Sequence, residues 1–536
     1  IGRLPAKSPK EVWDYFNKVV QFESNAEDLP QTLEARGWMK QIMHLGGGGA
    51  AGEQQYIKNV LLQMENIIEN NRFGGEVTSF YKTSSDPIET TQSEALKERI
   101  NEGISILSFF GHSSANTFDF NFDNPDTYDN YGKYPWLMSY GCFSGNAFTS
   151  NVGIGERFVL AEERGAIAFS ASTSFGFSAA LEALGKHTYE QAGGPLYGRG
   201  IGDVLKSSGE FLMNSTATGY VELGQQNVLQ GDPALRLNVH PGPDYLVDET
   251  SVAFDPVYLH TELDSFDFVF DIVNIGYNLS DTLLVLKVEQ QLPDGNRVLL
   301  VDTAVQAPAF RTSLRFTLPG FGEASRGMNR FFVRLDPDQA LAELPAQAES
   351  NNELIGPDGQ PGVPVYIISN SLQTVEPPRF AIVQQSNPEL RVSTLNPFAE
   401  RQKFIFQIDT SKHFDSPLLQ TGEVESEGGL LSWQPALSMS DSTVYYWRVS
   451  PDSLPPVGYR WVNSSFVYLA TAPDGWNQSH YFQFADDHFT YMEWPEETRS
   501  LDFVKNFIDV KIKNRVYDSP YGIPRYFVGN ETAASY

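Results

Sequence analysis

The chain has 536 residues, too many for one hydrophobic core, and its 37 Phe, 24 Tyr and 8 Trp can fill three or four. A formal net charge of −29 argues against a nucleic-acid partner and favours solubility, a cationic substrate or bound divalent cations. No apolar run reaches the ~20 residues of a transmembrane segment, and the single cysteine excludes an intrachain disulfide. No signal peptide precedes Ile1, which reads as the start of a fragment or of a processed chain.

Ser8-Pro9-Lys10-Glu11 is a helix start, with Ser8 as N-cap, Pro9 at the first helical position and Glu11 closing a capping box. Val12, Phe16, Val19 and Val20 give that helix an apolar face as far as Phe22. A strand over Trp38–Leu45 follows, then Gly46-Gly47-Gly48-Gly49, then a helix from Glu53 to Glu69. A glycine-rich turn between strand and helix invites a phosphate-loop reading, but no Lys-Ser/Thr pair follows it. A strand at Glu76–Tyr81 and a helix from Gln92 to Glu102 lead to the apolar strand Ile104–Phe110, which ends at Gly111-His112. A second apolar run, Pro135–Tyr140, ends at Gly141-Cys142. The alternation continues through a helix near Ile154–Arg164, a strand Ala166–Ala171 and helices Ser178–Ala192 and Ile201–Met213. It is the pattern of a parallel sheet covered by helices on both faces.

In such a sheet, sites form at the carboxyl ends of strands. Neighbouring strands lie ~5 Å apart, so adjacent placement would bring His112 and Cys142 together as base and nucleophile. Taken singly, each has a plainer reading: a small core hydrophobe for the cysteine, a turn residue for the histidine. Their shared context, strand end followed by a Gly/Ser-rich turn, favours chemistry.

Strand-Gly-His followed by strand-small-Cys resembles the caspase-like clan of cysteine peptidases, and specifically the gingipain family. Ile1-Gly2-Arg3-Leu4-Pro5, Gly155-Glu156-Arg157-Phe158, Gly165-Ala166-Ile167-Ala168-Phe169 and Leu229-Gln230-Gly231-Asp232-Pro233-Ala234-Leu235 extend the match in the family's order, over residues 1–240. The resemblance implies Cys142 as nucleophile, His112 as general base and acid, and an oxyanion hole from the N–H groups of Cys142 and Ser113. The family typically has Gly where this chain has Ser113. It also implies that no cofactor is required and that the N-terminal subdomain of the family is missing here. Basic-specific members carry an acid in the turn before the helix that begins near Glu53. Glu53 is therefore the substrate-binding candidate for Arg or Lys, or simply a first-turn carboxylate offsetting the helix dipole. The acid that orients the histidine in the best-known members has no match beside Leu45-Gly46. After His112, Asp119 and Asp123 lie in an oxygen-rich loop that suits Ca²⁺, or in a solvated acidic turn.

Val239-His240-Pro241-Gly242-Pro243 marks a domain boundary, after which short alternating strands replace helices. Residues 244–357 resemble a CARDB-like β-sandwich, through Asp267–Gly276 and a late Glu343…Asn351-Asn352. A linker at Gly356–Gly362 precedes a second sandwich over 364–472, in which Trp433 and Val444–Val449 resemble fibronectin type III and Trp447 fills the core. Residues 475–536 start a further segment. The expected fold is an α/β caspase-like parallel-sheet domain followed by all-β immunoglobulin-like sandwiches.

Three functions fit: a cysteine endopeptidase domain of a large exported protein, a sortase-like transpeptidase of type IX secretion, or a non-catalytic surface or adhesion protein on a peptidase-like scaffold. The partners implied are a protein or peptide substrate and type IX secretion components, with location at the outer-membrane surface or outside the cell. Asp281-Thr282-Leu283, Asp302-Thr303-Ala304, Asp441-Ser442-Thr443 and Asp452-Ser453-Leu454 fit the O-glycosylation pattern of such export.

Overall fold

The computed structural model describes residues 1–122, 124–148, 152–237, 240–369, 371–395, 401–452, 458–473, 475–477, 487–493, 501–504, 512–513 and 527–528. Two compact units divide the chain, Ile1–Ser369 and Asn370–Tyr536. Asp123, the motif residues Ser453 and Leu454, and most of the segment expected at 475–536 lie outside the described residues.

The first unit begins with strands β1 (Gly2–Arg3), β2 (Gln41–Gly46), β3 (Glu76–Tyr81), β4 (Ile106–Phe110), β5 (Trp136–Tyr140), β6 (Ala168–Ser172) and β7 (Asn227–Gly231). They form one sheet in the order β1-β7-β6-β5-β4-β2-β3. Pairings from β3 through β6 are parallel, as the strand–helix alternation demands; β7 runs antiparallel to β6 and closes the sheet onto β1. β4, β5 and β6 are buried along their whole length, because helices cover both faces. The helices are α1 (Pro9–Asp28), α2 (Leu33–Arg36), α3 (Ala51–Asn70), α4 (Ser93–Glu102), α5 (Ile154–Leu160), α6 (Ser178–Ala192), α7 (Ile201–Met213) and α8 (Tyr220–Gln226). One core lies on each face. Ile57, Val60, Leu61 and Met64 of α3 fill the first with Trp136 and Met138; Leu107, Phe109, Phe118 and Phe158 fill the second.

The Ser8 cap and its capping box form as expected, but of the expected apolar face only Val19 and Phe22 pack inward. Val12, Phe16 and Val20 are exposed, together with Trp13. The buried stripe is Tyr15, Lys18 and Phe22. Lys18 is wholly buried, and its Nζ donates to the carbonyls of Phe158, Val159, Arg164 and Ala166. Four convergent carbonyls replace water around the ammonium, which is what makes its burial tolerable. The turns from Trp38 to Lys40 also differ from expectation: they are 3-10, and the strand starts only at Gln41.

Antiparallel strands follow in the same unit: β8 (Tyr245–Asp255), β9 (Ser265–Asn274), β10 (Leu283–Gln291), β11 (Arg297–Gln306), β12 (Arg311–Pro319), β13 (Gly327–Leu335) and β14 (Val363–Ile367). Sheets β11-β10-β13-β14 and β12-β9-β8 enclose a core of alternating residues such as Phe266, Phe268, Phe270, Leu284, Leu286 and Val288. β14 pairs with β13 along Val363–Ile367, so this sandwich extends past residue 357 and takes in the start of the region expected to open the next one. In the second unit, β15 (Leu372–Glu376), β16 (Ala381–Val383), β17 (Leu390–Thr394), β18 (Gln402–Asp409), β19 (Gln420–Ser426), β20 (Leu430–Trp433), β21 (Thr443–Pro451), β22 (Val462–Tyr468) and β23 (Gly475–Trp476) form sheets β15-β17-β20 and β19-β18-β21-β22-β16-β23. Trp447 is fully buried in the core of that unit.

Candidate active site

Three neighbouring strands, β5, β4 and β2, end side by side, and each is followed by glycine. Phe110 of β4 registers with Tyr140 of β5, so His112 and Cys142 each stand two residues beyond one paired position. Gly46 of β2 registers with the same Phe110 from the other side. The sheet therefore presents, in spatial order, the Cys142 turn, the His112 turn and the Gly47–Gly49 turn that starts α3.

The two catalytic-type turns are packed tightly. Ser113 Oγ donates to the Cys142 carbonyl at 2.8 Å. A Cβ on Gly141 would sit 2.2 Å from Ser113 Oγ and 2.9 Å from the Gly111 carbonyl, so only glycine allows the approach. The side chain of Ser113 thus ties the turns together. Among the described residues, neither the Ser113 N–H nor the Cys142 N–H has a hydrogen-bond acceptor in the protein. Two unsatisfied donors at adjacent strand ends are what a developing oxyanion needs.

The imidazole and the thiol are not hydrogen-bonded to each other. His112 Nε2 lies 3.0 Å from Glu53 Oε2, and the thiol of Cys142 accepts the Gly176 N–H at 3.4 Å. Resting sites commonly hold such groups loosely until substrate arrives. The His112 side chain is 62% exposed and that of Glu53 39%, so both are open to solvent. Burial pushes the Glu53 carboxyl up, but the Gly49 N–H at 2.7 Å and the His112 ring outweigh it and hold the group below its ordinary range. Glu53 sits in the first turn of α3, so the helix dipole adds to the same end. The sequence offered Glu53 as a substrate-binding acid or as a first-turn carboxylate offsetting the helix dipole; it stands in the first turn of α3 with His112 as its partner.

Asp119 accounts for the middle of the four-glycine run, Gly47 and Gly48. Its carboxylate is buried, accepts the Gly48 N–H at 2.8 Å and lies 3.8 Å from the equally buried Lys82 ammonium. A Cβ on Gly47 would meet Asp119 Oδ1 at 2.1 Å, and Gly48 has φ +112°, in the left-handed region. Burial raises the Asp119 carboxyl, against the pull of Gly48 and Lys82. Its backbone N–H donates to the His112 carbonyl at 2.9 Å, so one residue fixes both the histidine turn and the glycine turn. The donors that suggested a phosphate loop are taken by the protein's own carboxylates, Asp119 on Gly48 and Glu53 on Gly49. Among the described residues, no group of three or more His, Cys, Asp or Glu side chains is gathered to hold a metal ion. No helix among them is long and apolar enough to cross a membrane.

Sequence reasoning missed the bond from Glu53 to His112, the Asp119–Lys82 support and the contact of Gly176 with the thiol. The first was legible in part: a Glu in the first turn of the helix that follows the neighbouring strand can reach back over the strand end. The others depend on tertiary placement and leave no local signal.

Residues 1–238 match the model of peptidase family C25. Comparison with curated proteins gives no match. Among solved structures, gingipain R, described as an Arg-specific cysteine proteinase, is 14% identical, with 62% of this chain and 71% of that one covered at a TM-score of 0.38. The complex of the pro- and mature domains of Porphyromonas gingivalis RgpB is 13% identical, covering 62% and 73% at 0.37. The CARDB domain of a Pyrococcus furiosus protein, in complex with di-metal ions, is 18% identical over 24% of this chain and 94% of that one, at 0.18. At such scores the likeness carries no further argument.

Proposed function

We propose, from the match of residues 1–238 to the model of peptidase family C25, that the chain is the peptidase-bearing part of an exported protein. In this reading it cleaves peptide bonds with Cys142 as nucleophile, His112 as general base and acid, and Glu53 as the carboxylate that orients His112. The single observation that carries the reading is the ordered delivery of thiol, imidazole and carboxylate by three adjacent strand ends, β5, β4 and β2.

The steps follow from what each group can do. The Cys142 thiolate attacks the peptide carbonyl carbon, and the oxygen takes the electron pair between the Ser113 and Cys142 N–H groups. His112, holding the thiol proton, passes it to the amine as the C–N bond breaks. Water then loses a proton to His112 and attacks the thioester, and the thiolate leaves. Glu53 keeps the ring in place and stabilises its cationic form through these transfers. The antiparallel sandwiches after residue 244 fit the role of adhesion-type modules on such a protein, the second being fibronectin type III-like.

The test is cleavage of an unfolded protein by the full chain. Wild type should generate fragments, whereas Cys142→Ala and His112→Ala should each lose nearly all activity while keeping the wild-type melting temperature, because the pair acts as a unit. Undiminished cleavage by Cys142→Ala would end the proposal.

A further inference from the structure

The walls of the candidate site bear on its substrate, an inference that rests on the peptidase reading above. We propose that the site selects a large apolar side chain on the residue that supplies the scissile carbonyl, and that Phe175 and Phe177 are the residues that contact it.

The loop 173–177, which joins β6 to α6, passes directly over the nucleophile: Gly176 donates its N–H to Cys142 Sγ. On either side of that glycine, Phe175 is 66% exposed and Phe177 46% exposed. Two large aromatic rings left in water beside a thiol are a poor arrangement unless something apolar covers them.

Both rings are held in place. Phe175 meets Phe143 edge to face with centroids 4.7 Å apart. Phe143, the residue after the nucleophile, is itself in the left-handed region at φ 60°, a strained state for a non-glycine residue, and its N–H is fixed on the Ser174 carbonyl at 2.9 Å. The ring of Phe177 lies so close to Gly219, the residue before α8, that a Cβ there would come within 2.4 Å of it. In the acyl-enzyme the carbonyl carbon is bonded to Cys142 Sγ, so the side chain of that residue must fall beside the loop that touches the sulfur. Chemical complementarity then favours an aromatic or aliphatic group there.

The charges point the same way. The acids nearest the N-terminal ends of α3 and α6, Glu53 and Glu182, are both occupied. Glu53 is bound to His112 and the Gly49 N–H; Glu182 is bound to Lys186 at 2.7 Å and Tyr56 at 2.6 Å. A basic substrate side chain would have to displace these partners to pair with either acid.

The test uses the full chain and a peptide series identical except at the residue before the cleaved bond, which is Phe, Leu, Arg, Lys or Asp. Phe and Leu should exceed Arg in kcat/KM by at least about tenfold, within the range that burying an apolar side chain in a pocket can supply. The double variant Phe175→Ala/Phe177→Ala should collapse that ratio to within about threefold, and Phe175→Glu should shift preference towards Arg. A wild-type preference for Arg or Lys, or a ratio unmoved by the double variant, would overturn the inference. The same peptides are titrated onto Cys142→Ala and binding is read by fluorescence anisotropy. Tighter binding of Phe than Arg peptides there sustains the inference even if wild type cleaves none of them, an outcome that would instead remove the peptidase reading. Equal or reversed binding removes the inference.

Discussion

Replacing Glu53 by Gln keeps the size and one oxygen of the side chain but removes the charge facing His112 Nε2 at 3.0 Å. The loss can be bounded from the geometry. Hydrogen bonds to charged groups contribute about 1.5–3 kcal/mol when shielded from water. Here the two side chains are 62% and 39% exposed, so solvent screening pulls the figure towards its lower end. Coulomb attraction at that separation in a water-like medium is about 1.4 kcal/mol. We therefore expect kcat/KM to fall roughly tenfold, with the loss in kcat and the same for every peptide. It should be far smaller than the loss of about 10⁴ seen when a buried triad aspartate is neutralised. Steady-state kinetics on neutral and cationic peptides measure it. A change under twofold would refute the orienting role. A rise in KM confined to Arg and Lys peptides would restore Glu53 to the substrate-binding role that the sequence suggested.

Because the Glu53 carboxyl is held below its ordinary range, its bond to His112 is complete above the unfolded value and is lost as pH falls through the folded one. The acidic limb of kcat/KM should therefore be displaced in Glu53→Gln relative to wild type. In the first sandwich, burial pushes Glu343 up to about 8, reinforced by Asp244 and Glu349 against the Tyr245 N–H and the Asn352 amide. The folded form then holds a proton that the unfolded chain releases, so stability is full below the unfolded value near 4.5 and falls as pH rises towards 8. The slope is at most about 1.4 kcal/mol per pH unit, and melting temperatures of Glu343→Gln should lose that part of the decline. Lys18→Met should lower the melting temperature of the first unit by removing four carbonyl contacts, a cost of about 3 kcal/mol or more, while Trp13→Ser on the exposed face of the same helix should change it little. Ser113→Ala should cost activity several-fold, about 1 kcal/mol, by freeing the Cys142 turn without touching either oxyanion donor.

Much of the α/β layer was legible because strands buried on both faces read as continuous apolar runs, and Ile106–Phe110 and Trp136–Tyr140 are such runs. Their shared register explains why a histidine and a cysteine thirty positions apart in sequence arrive at one sheet edge. The orientation of α1 was not legible, since a lysine solvated by four carbonyls looks polar in sequence and hides the buried stripe, while Val12, Phe16 and Val20 imitate one. The antiparallel β7 was not legible, since the helix before it, α8, has only seven residues and shows too little periodicity to stand out. Glu53 was visible as a first-turn acid; its partner was not, because the bond depends on how far the Gly47–Gly49 turn carries α3 over β4.

In the proposed reaction Cys142 is the nucleophile that is acylated. The most direct measurement is the intact mass of the full chain after brief exposure to a peptidyl acyloxymethyl ketone bearing Phe next to the reactive group, followed by peptide mapping. One equivalent should be incorporated at Cys142, abolished in Cys142→Ala and strongly slowed in His112→Ala. A native chain that incorporates none, yet labels at Cys142 once unfolded, would show a buried inert thiol and contradict the account.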